Sequence, residues 1–106
     1  MAFIDCRTLT PREVAPGFRG RFIHGHDMTL AIWEIEPGSG LPDHAHVQEQ
    51  IVMVLSGEFE LTVAGEKQVL TRDTIAVVPS NVRHSGRAIT RCQVIDAFHP
   101  VRDDYR

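Results

Sequence analysis

Turn-forming residues interrupt this chain at Pro16-Gly17, Pro37-Gly38-Ser39-Gly40, Ser56-Gly57, Ala64-Gly65, Arg72-Asp73, Pro79-Ser80-Asn81 and Ser85-Gly86, leaving only short β-branched or aromatic runs between them. Such segments are too short for ordinary helices and suit strands joined by tight turns, so the chain reads as an all-β barrel or sandwich. In Glu58-Phe59-Glu60-Leu61-Thr62-Val63 the apolar positions alternate, which predicts a half-buried strand with Phe59, Leu61 and Val63 inward. Ile51 to Leu55 and Ile75 to Val78 are continuously apolar. That pattern predicts strands covered on both faces, by a second layer or a partner subunit.

With 106 residues the chain has room for one domain and one core. Its 11 basic and 14 acidic residues give a net charge of -3, and the basic ones are scattered, so nucleic acid is not an expected partner. Met1 to Thr10 lacks a basic start followed by an apolar stretch, and no apolar run approaches the roughly 20 residues of a membrane helix. A cytoplasmic protein that does not engage membranes is expected. Cys6 and Cys92 lack CxxC spacing and read as buried, reduced thiols rather than a disulfide.

His44-Ala45-His46 and, after a Pro-rich loop, His84 offer three imidazoles to one ion. Histidines at i and i+2 on extended backbone project from one strand face, and His84 must arrive from another strand, across the barrel. Gln50 shares their parity, but a straight strand would carry it about 13 Å past His46 at roughly 3.3 Å per residue. The chain must therefore turn, and Val47 to Glu49 is where the turn is expected. In the last apolar run, Cys92, Val94, Asp96 and Phe98 share a face, which sets an acid among apolar neighbours. Such a carboxylate needs a partner or is kept for chemistry.

Gly38 to Gly57 resembles the first cupin motif and Pro79 to His84 the second. The resemblance implies an all-β, single-domain cupin (double-stranded β-helix, or jelly-roll) barrel over 1–106. Its metal-binding core would span about 26–99, with a polar tail at 100–106. The position usually held by a metal-binding Glu falls on Gln50, with Glu49 beside it, so either residue is a candidate oxygen ligand. Arg72 and Asn81 stand where glycines are expected, which alters turn geometry only; Asn tolerates the left-handed region and Arg does so poorly. A neutral amide in place of a carboxylate leaves a divalent site at +2 instead of +1, which favours an anionic substrate and Lewis-acid over oxygenase chemistry. Three imidazoles and an oxygen suit Zn, Ni, Fe, Mn or Co.

HxHxxEQ, PSNVRH and the terminal Asp-x-Phe-x-x-x-Arg of Asp96, Phe98 and Arg102 together resemble the KdgF type of cupin from pectin and alginate breakdown. That resemblance implies conversion of 4,5-unsaturated uronates to linear ketonised sugars. It implies a metal held by His44, His46, Gln50 and His84, Asp96 as acid/base, Phe98 shaping the pocket and Arg102 gripping the substrate carboxylate. Without it, Arg102 reads as a solvated tail charge. The alternatives are an iron-dependent dioxygenase, a noncatalytic sugar or small-acid sensor, and a lyase for small sulfur compounds. The last ranks lowest because such cupins generally carry pocket tyrosines and the Glu ligand, whereas the only tyrosine here, Tyr105, falls in the tail. A homodimer is expected, since small cupins commonly bury a sheet face or exchange a strand. His24-Gly25-His26 lacks further ligands and reads as strand, with His26 placed to line the pocket. His99 is expected to be exposed, and Trp33 is expected in the core.

Overall fold

The computed structural model describes residues 2–106. Ten strands form two antiparallel sheets: β1 (Arg12–Ala15), β2 (Phe18–His24), β3 (Thr29–Ile35), β4 (Gly40–His44), β5 (Glu49–Ser56), β6 (Phe59–Val63), β7 (Glu66–Leu70), β8 (Ile75–Val78), β9 (His84–Ala88) and β10 (Cys92–His99). The larger sheet runs β1-β2-β3-β10-β5-β8 and the smaller β4-β9-β6-β7. The chain thus crosses repeatedly between two layers, the jelly-roll arrangement expected from the sequence. Short 3-10 turns at Cys6–Thr8 and Asp103–Tyr105 are the remaining elements.

Alternation along each strand fills the space between the sheets. Trp33, Ile35, Val52, Val54, Val94 and Phe98 point inward from the larger sheet and meet Phe59 and Leu61 from the smaller. Each such side chain contributes about 1.5–3 kcal/mol when fully buried. Phe59 and Leu61 are inward as the alternation of β6 predicts. Gly20 lies opposite Trp33 in the β2–β3 register. A Cβ there would stand 2.8 Å from the indole ring, so glycine at this position lets the tryptophan lie flat against β2.

Turn chemistry follows residue type. Asn81 adopts φ 64°, in the left-handed region, and with Ala64 is one of two such non-glycine residues among those described; Arg72 is not one of them.

Two expectations are corrected here. β5 alternates buried and exposed within the chain, leaving Ile51, Met53 and Leu55 exposed, along with Ile75 and Val77 of β8. Among the described residues no second layer covers this side of the sheet, because the smaller sheet packs on the opposite face, which corrects the second-layer alternative and leaves the partner-subunit one. The reading of Cys6 as buried is corrected as well. Cys6 is exposed, since the amino-terminal turn lies outside the core; Cys92 is buried as expected, and both thiols are free.

Candidate functional site

Strand pairing sets His44 directly opposite His84, on β4 and β9 of the smaller sheet. His84 therefore arrives from beside His44, not across the barrel as the sequence suggested. The strands that carry His44 and His84 are hydrogen-bonded neighbours. His46 lies just beyond the end of β4, and the chain bends at Val47–Gln48 before β5 begins at Glu49. That bend, one residue shorter than expected, brings Gln50 inward from the facing sheet while Glu49 stays exposed. Ligand atoms of the three histidines all lie within 4.8 Å of one another.

Hydrogen bonds fix the state of each ring. Nδ1 of His44 donates to Pro42 O at 2.7 Å, Nδ1 of His46 to Gln48 O at 2.9 Å and Nδ1 of His84 to Val82 O at 2.9 Å. A carbonyl only accepts, so each Nδ1 carries a proton and Nε2 is the nitrogen left to face the other rings. Burial, the largest influence, holds the pKa of His46 and His84 below the usual histidine value and keeps these rings neutral. Gln50 Oε1 is buried without a hydrogen-bond donor. Three imidazoles with tethered rings and one orphaned amide oxygen fit the donor set of a divalent transition metal.

Asp96 stands two residues before Phe98 on β10 and faces the same space. Trp33 Nε1 donates to its Oδ2 at 2.9 Å, and its Oδ1 is buried with no donor. Burial pushes the Asp96 carboxyl up to about 6, against the opposing pull of the Gln50 amide, the Trp33 indole and the Arg102 charge. Phe98 packs edge-on against the His46 ring, with centroids 5.7 Å apart.

Arg102 is buried at 9% exposure, which corrects the solvated-tail reading. Its guanidinium carbon lies 4.7 Å from the Phe98 ring centre and 4.2 Å from that of Tyr105. The polar residues after Pro100 fold back over the pocket. Tyr105, set aside on sequence grounds because it falls in the tail, lines the pocket and stacks on Phe22 with centroids 4.5 Å apart. Tyr105 thus supplies the pocket tyrosine expected to be missing, and of the two grounds for ranking sulfur-compound lyases lowest only Gln50 in place of Glu remains. The aromatic partner that draws Tyr105 inward lies on β2, some eighty residues away, and no local pattern announces it. His24 was also undervalued: Nδ1 meets Thr29 Oγ1 at 2.9 Å and Nε2 meets Tyr105 O at 3.3 Å, so it ties down the tail. His26 is exposed in the β2–β3 hairpin and does not line the pocket. His99 is exposed as expected and pairs with Asp27. Trp33 is in the core as expected, and it also holds Asp96.

The resulting pocket has apolar walls that include Phe18, Ile35, Val52 and Phe59, and the three histidines, Gln50, Asp96 and Arg102 line the same space.

Residues 31–98 match the model of the cupin domain. The pectin degradation protein KdgF of Dickeya dadantii is 28% identical over 97% of this chain and 96% of its own length. The structure of KdgF from a Halomonas species superposes with a TM-score of 0.93 at 28% identity, covering 100% of this chain and 99% of that one. An RmlC-like cupin from Shewanella frigidimarina gives a TM-score of 0.94 at 26% identity, over 100% and 96% of the two chains. With the family model spanning most of its length and the histidine set in place, the chain belongs to the cupin domain family.

Proposed function

We propose that this cupin is a metal-dependent enzyme that converts 4,5-unsaturated uronates to linear ketonised sugars. The observation that carries the reading is Asp96: a buried carboxyl with one oxygen fixed by Trp33 and the other free, facing the same pocket as the three histidines and Arg102. The likeness to KdgF, named for pectin degradation, supports the substrate class.

His44, His46, His84 and Gln50 would hold one divalent transition metal ion. When bound, the ion supplies Lewis-acid polarisation and orientation of sugar oxygens. The remaining work falls to the chain's own residues. Arg102 pairs with the substrate carboxylate, which fixes the ring's orientation. Phe98 forms a wall against one ring face and keeps water from it. Asp96, with a pKa near 6, exists in both protonation states around neutrality. The bond between carbon 1 and the ring oxygen breaks as the anomeric hydroxyl gives its proton to Asp96 and becomes the aldehyde; Asp96 then delivers a proton from Oδ1 to carbon 4 as the 4,5 double bond is lost and carbon 5 becomes the ketone. The net change is an isomerisation, with no oxidant or reductant consumed.

The reading includes a homodimer formed through the outward face of the larger sheet. There Leu30, Ile51, Met53, Leu55, Ile75 and Val77 are exposed side by side, and Ile51 pairs with Val77 and Met53 with Ile75. An apolar sheet face of this extent favours a partner subunit.

The test is to follow unsaturated galacturonate and its guluronate or mannuronate counterpart by NMR with metal-loaded protein. Linear keto product should appear faster than in buffer alone. Product formation at the spontaneous rate would refute the assignment.

A further inference from the structure

Arg102 is held by more contacts than a tail residue needs. Its backbone N–H donates to Thr29 Oγ1 at 2.9 Å, and the surrounding segment is secured by Gln48 Nε2 to Val101 O at 3.2 Å and Arg12 Nη1 to Arg106 O at 3.2 Å. The rings of Phe98 and Tyr105 flank the guanidinium carbon, and a ring face has no preference among the edges of the cation. Asp104 supplies that preference, since its carboxylate accepts from Nε at 3.0 Å and from Nη2 at 2.8 Å, a bidentate grip on one edge. Asp104 leaves Nη1 uncommitted, and the Tyr105 hydroxyl is the other polar group that acts on the guanidinium from the tail.

The pair is asymmetric in exposure: the Arg102 side chain is 10% exposed and that of Asp104 59%. Burial, the largest single influence, works against the Arg102 charge, and the Asp104 bond together with the charges of Tyr105, Asp104 and Asp96 outweighs it, raising the pKa. A pair with one partner this exposed adds little to folding stability, so its effect lies in orientation.

We propose that Asp104 is a positioning residue: by holding the Nε–Nη2 edge of Arg102, it presents Nη1 to the carboxylate of an anionic substrate. The inference rests on the sugar-acid reading of the pocket and adds a second carboxylate to it, one that belongs to the protein and prepares the arginine before substrate arrives. An arginine fixed in advance loses less freedom on binding, so the contribution appears in affinity.

The test uses the metal-loaded full chain with Asp104→Ala, which removes both acceptors, and Asp104→Asn, which keeps one. KM for 4,5-unsaturated galacturonate should rise about tenfold in the alanine variant and about threefold in the asparagine variant, with kcat held within about twofold. Calorimetric affinity for galacturonate should fall in step, while affinity for its methyl ester stays at the wild-type value. The Arg102 Nε–Hε NMR signal should move in both variants. Unchanged KM in Asp104→Ala overturns the proposal, as does an equal loss of ester binding, kcat and melting temperature, which marks a merely structural role. If wild-type protein neither binds galacturonate nor turns over the unsaturated sugar, the sugar-acid reading falls separately. An unmoved Arg102 signal then overturns the positioning role as well, and a moved one upholds it.

Discussion

The indole N–H of Trp33 on β3 donates to one carboxyl oxygen of Asp96 on the neighbouring β10, at 2.9 Å, in a site where the other oxygen has no donor. A core residue and a chemical residue are thus one unit. The tryptophan fixes the carboxyl plane, and Gly20 behind it supplies the space that the indole needs.

Replacing Trp33 with Phe removes the indole N–H that donates to Asp96 Oδ2 and leaves that oxygen buried without it. Stability should fall by about 1–3 kcal/mol in urea unfolding. The Asp96 pKa should rise, because the indole bond lowers it, and the acidic limb of the pH–rate profile should shift to higher pH. An unshifted limb would separate Asp96 from the titration that governs rate.

Asp96→Asn should stabilise the chelated protein near neutrality while abolishing turnover. The folded-state pKa of about 6 lies above the ordinary 3.8, so between these values the folded state binds more protons than the unfolded. Wild-type stability is therefore lost as pH rises from about 4 to 6 and stays low above that. The variant, which cannot ionise, should gain on the wild type across that window, by about 1–3 kcal/mol at pH 7. Denaturant melts at pH 4, 5, 6 and 7 on both proteins check this; a difference independent of pH would contradict it.

His84→Ala should lose the metal, because it removes one of three nitrogens whose Nδ1 tethers prepare the set. Metal content by plasma mass spectrometry should drop at least tenfold after dialysis, while the circular dichroism spectrum stays all-β. Full occupancy in the variant would remove His84 from the ligand set.

Met53→Lys places a charge at the middle of the exposed apolar face, opposite Ile75 and Ile95. Sedimentation equilibrium should show a dimer for the wild type and a monomer for the variant. A monomeric wild type would contradict the dimer, leaving the apolar face as surface.

The sequence was most legible where chemistry depends on strand parity. Asp96 and Phe98 share a strand face by simple alternation, and Gln50 faces inward once the chain bends after His46. Turn residues likewise reported their own conformations, as with Asn81. What stayed hidden depends on contacts distant in sequence. Nothing in VRDDYR indicates that Phe22, Thr29 and His24 draw the tail over the pocket, burying Arg102 and bringing Tyr105 to it. Nor does the apolar run at Ile51 to Leu55 say whether its outer face meets a layer of its own chain. Hydrophobic pattern reports what needs covering and not what covers it.

The central claim, that Asp96 works with a metal held by the histidine set on an unsaturated uronate, is tested most directly by the ultraviolet absorbance of the substrate double bond. Metal-loaded protein, chelated protein and Asp96→Asn are compared side by side on 4,5-unsaturated galacturonate. Absorbance should fall rapidly only with metal-loaded wild type, and the other two should match buffer. Equal decay in all samples would contradict the account, as would full activity in chelated protein or in Asp96→Asn.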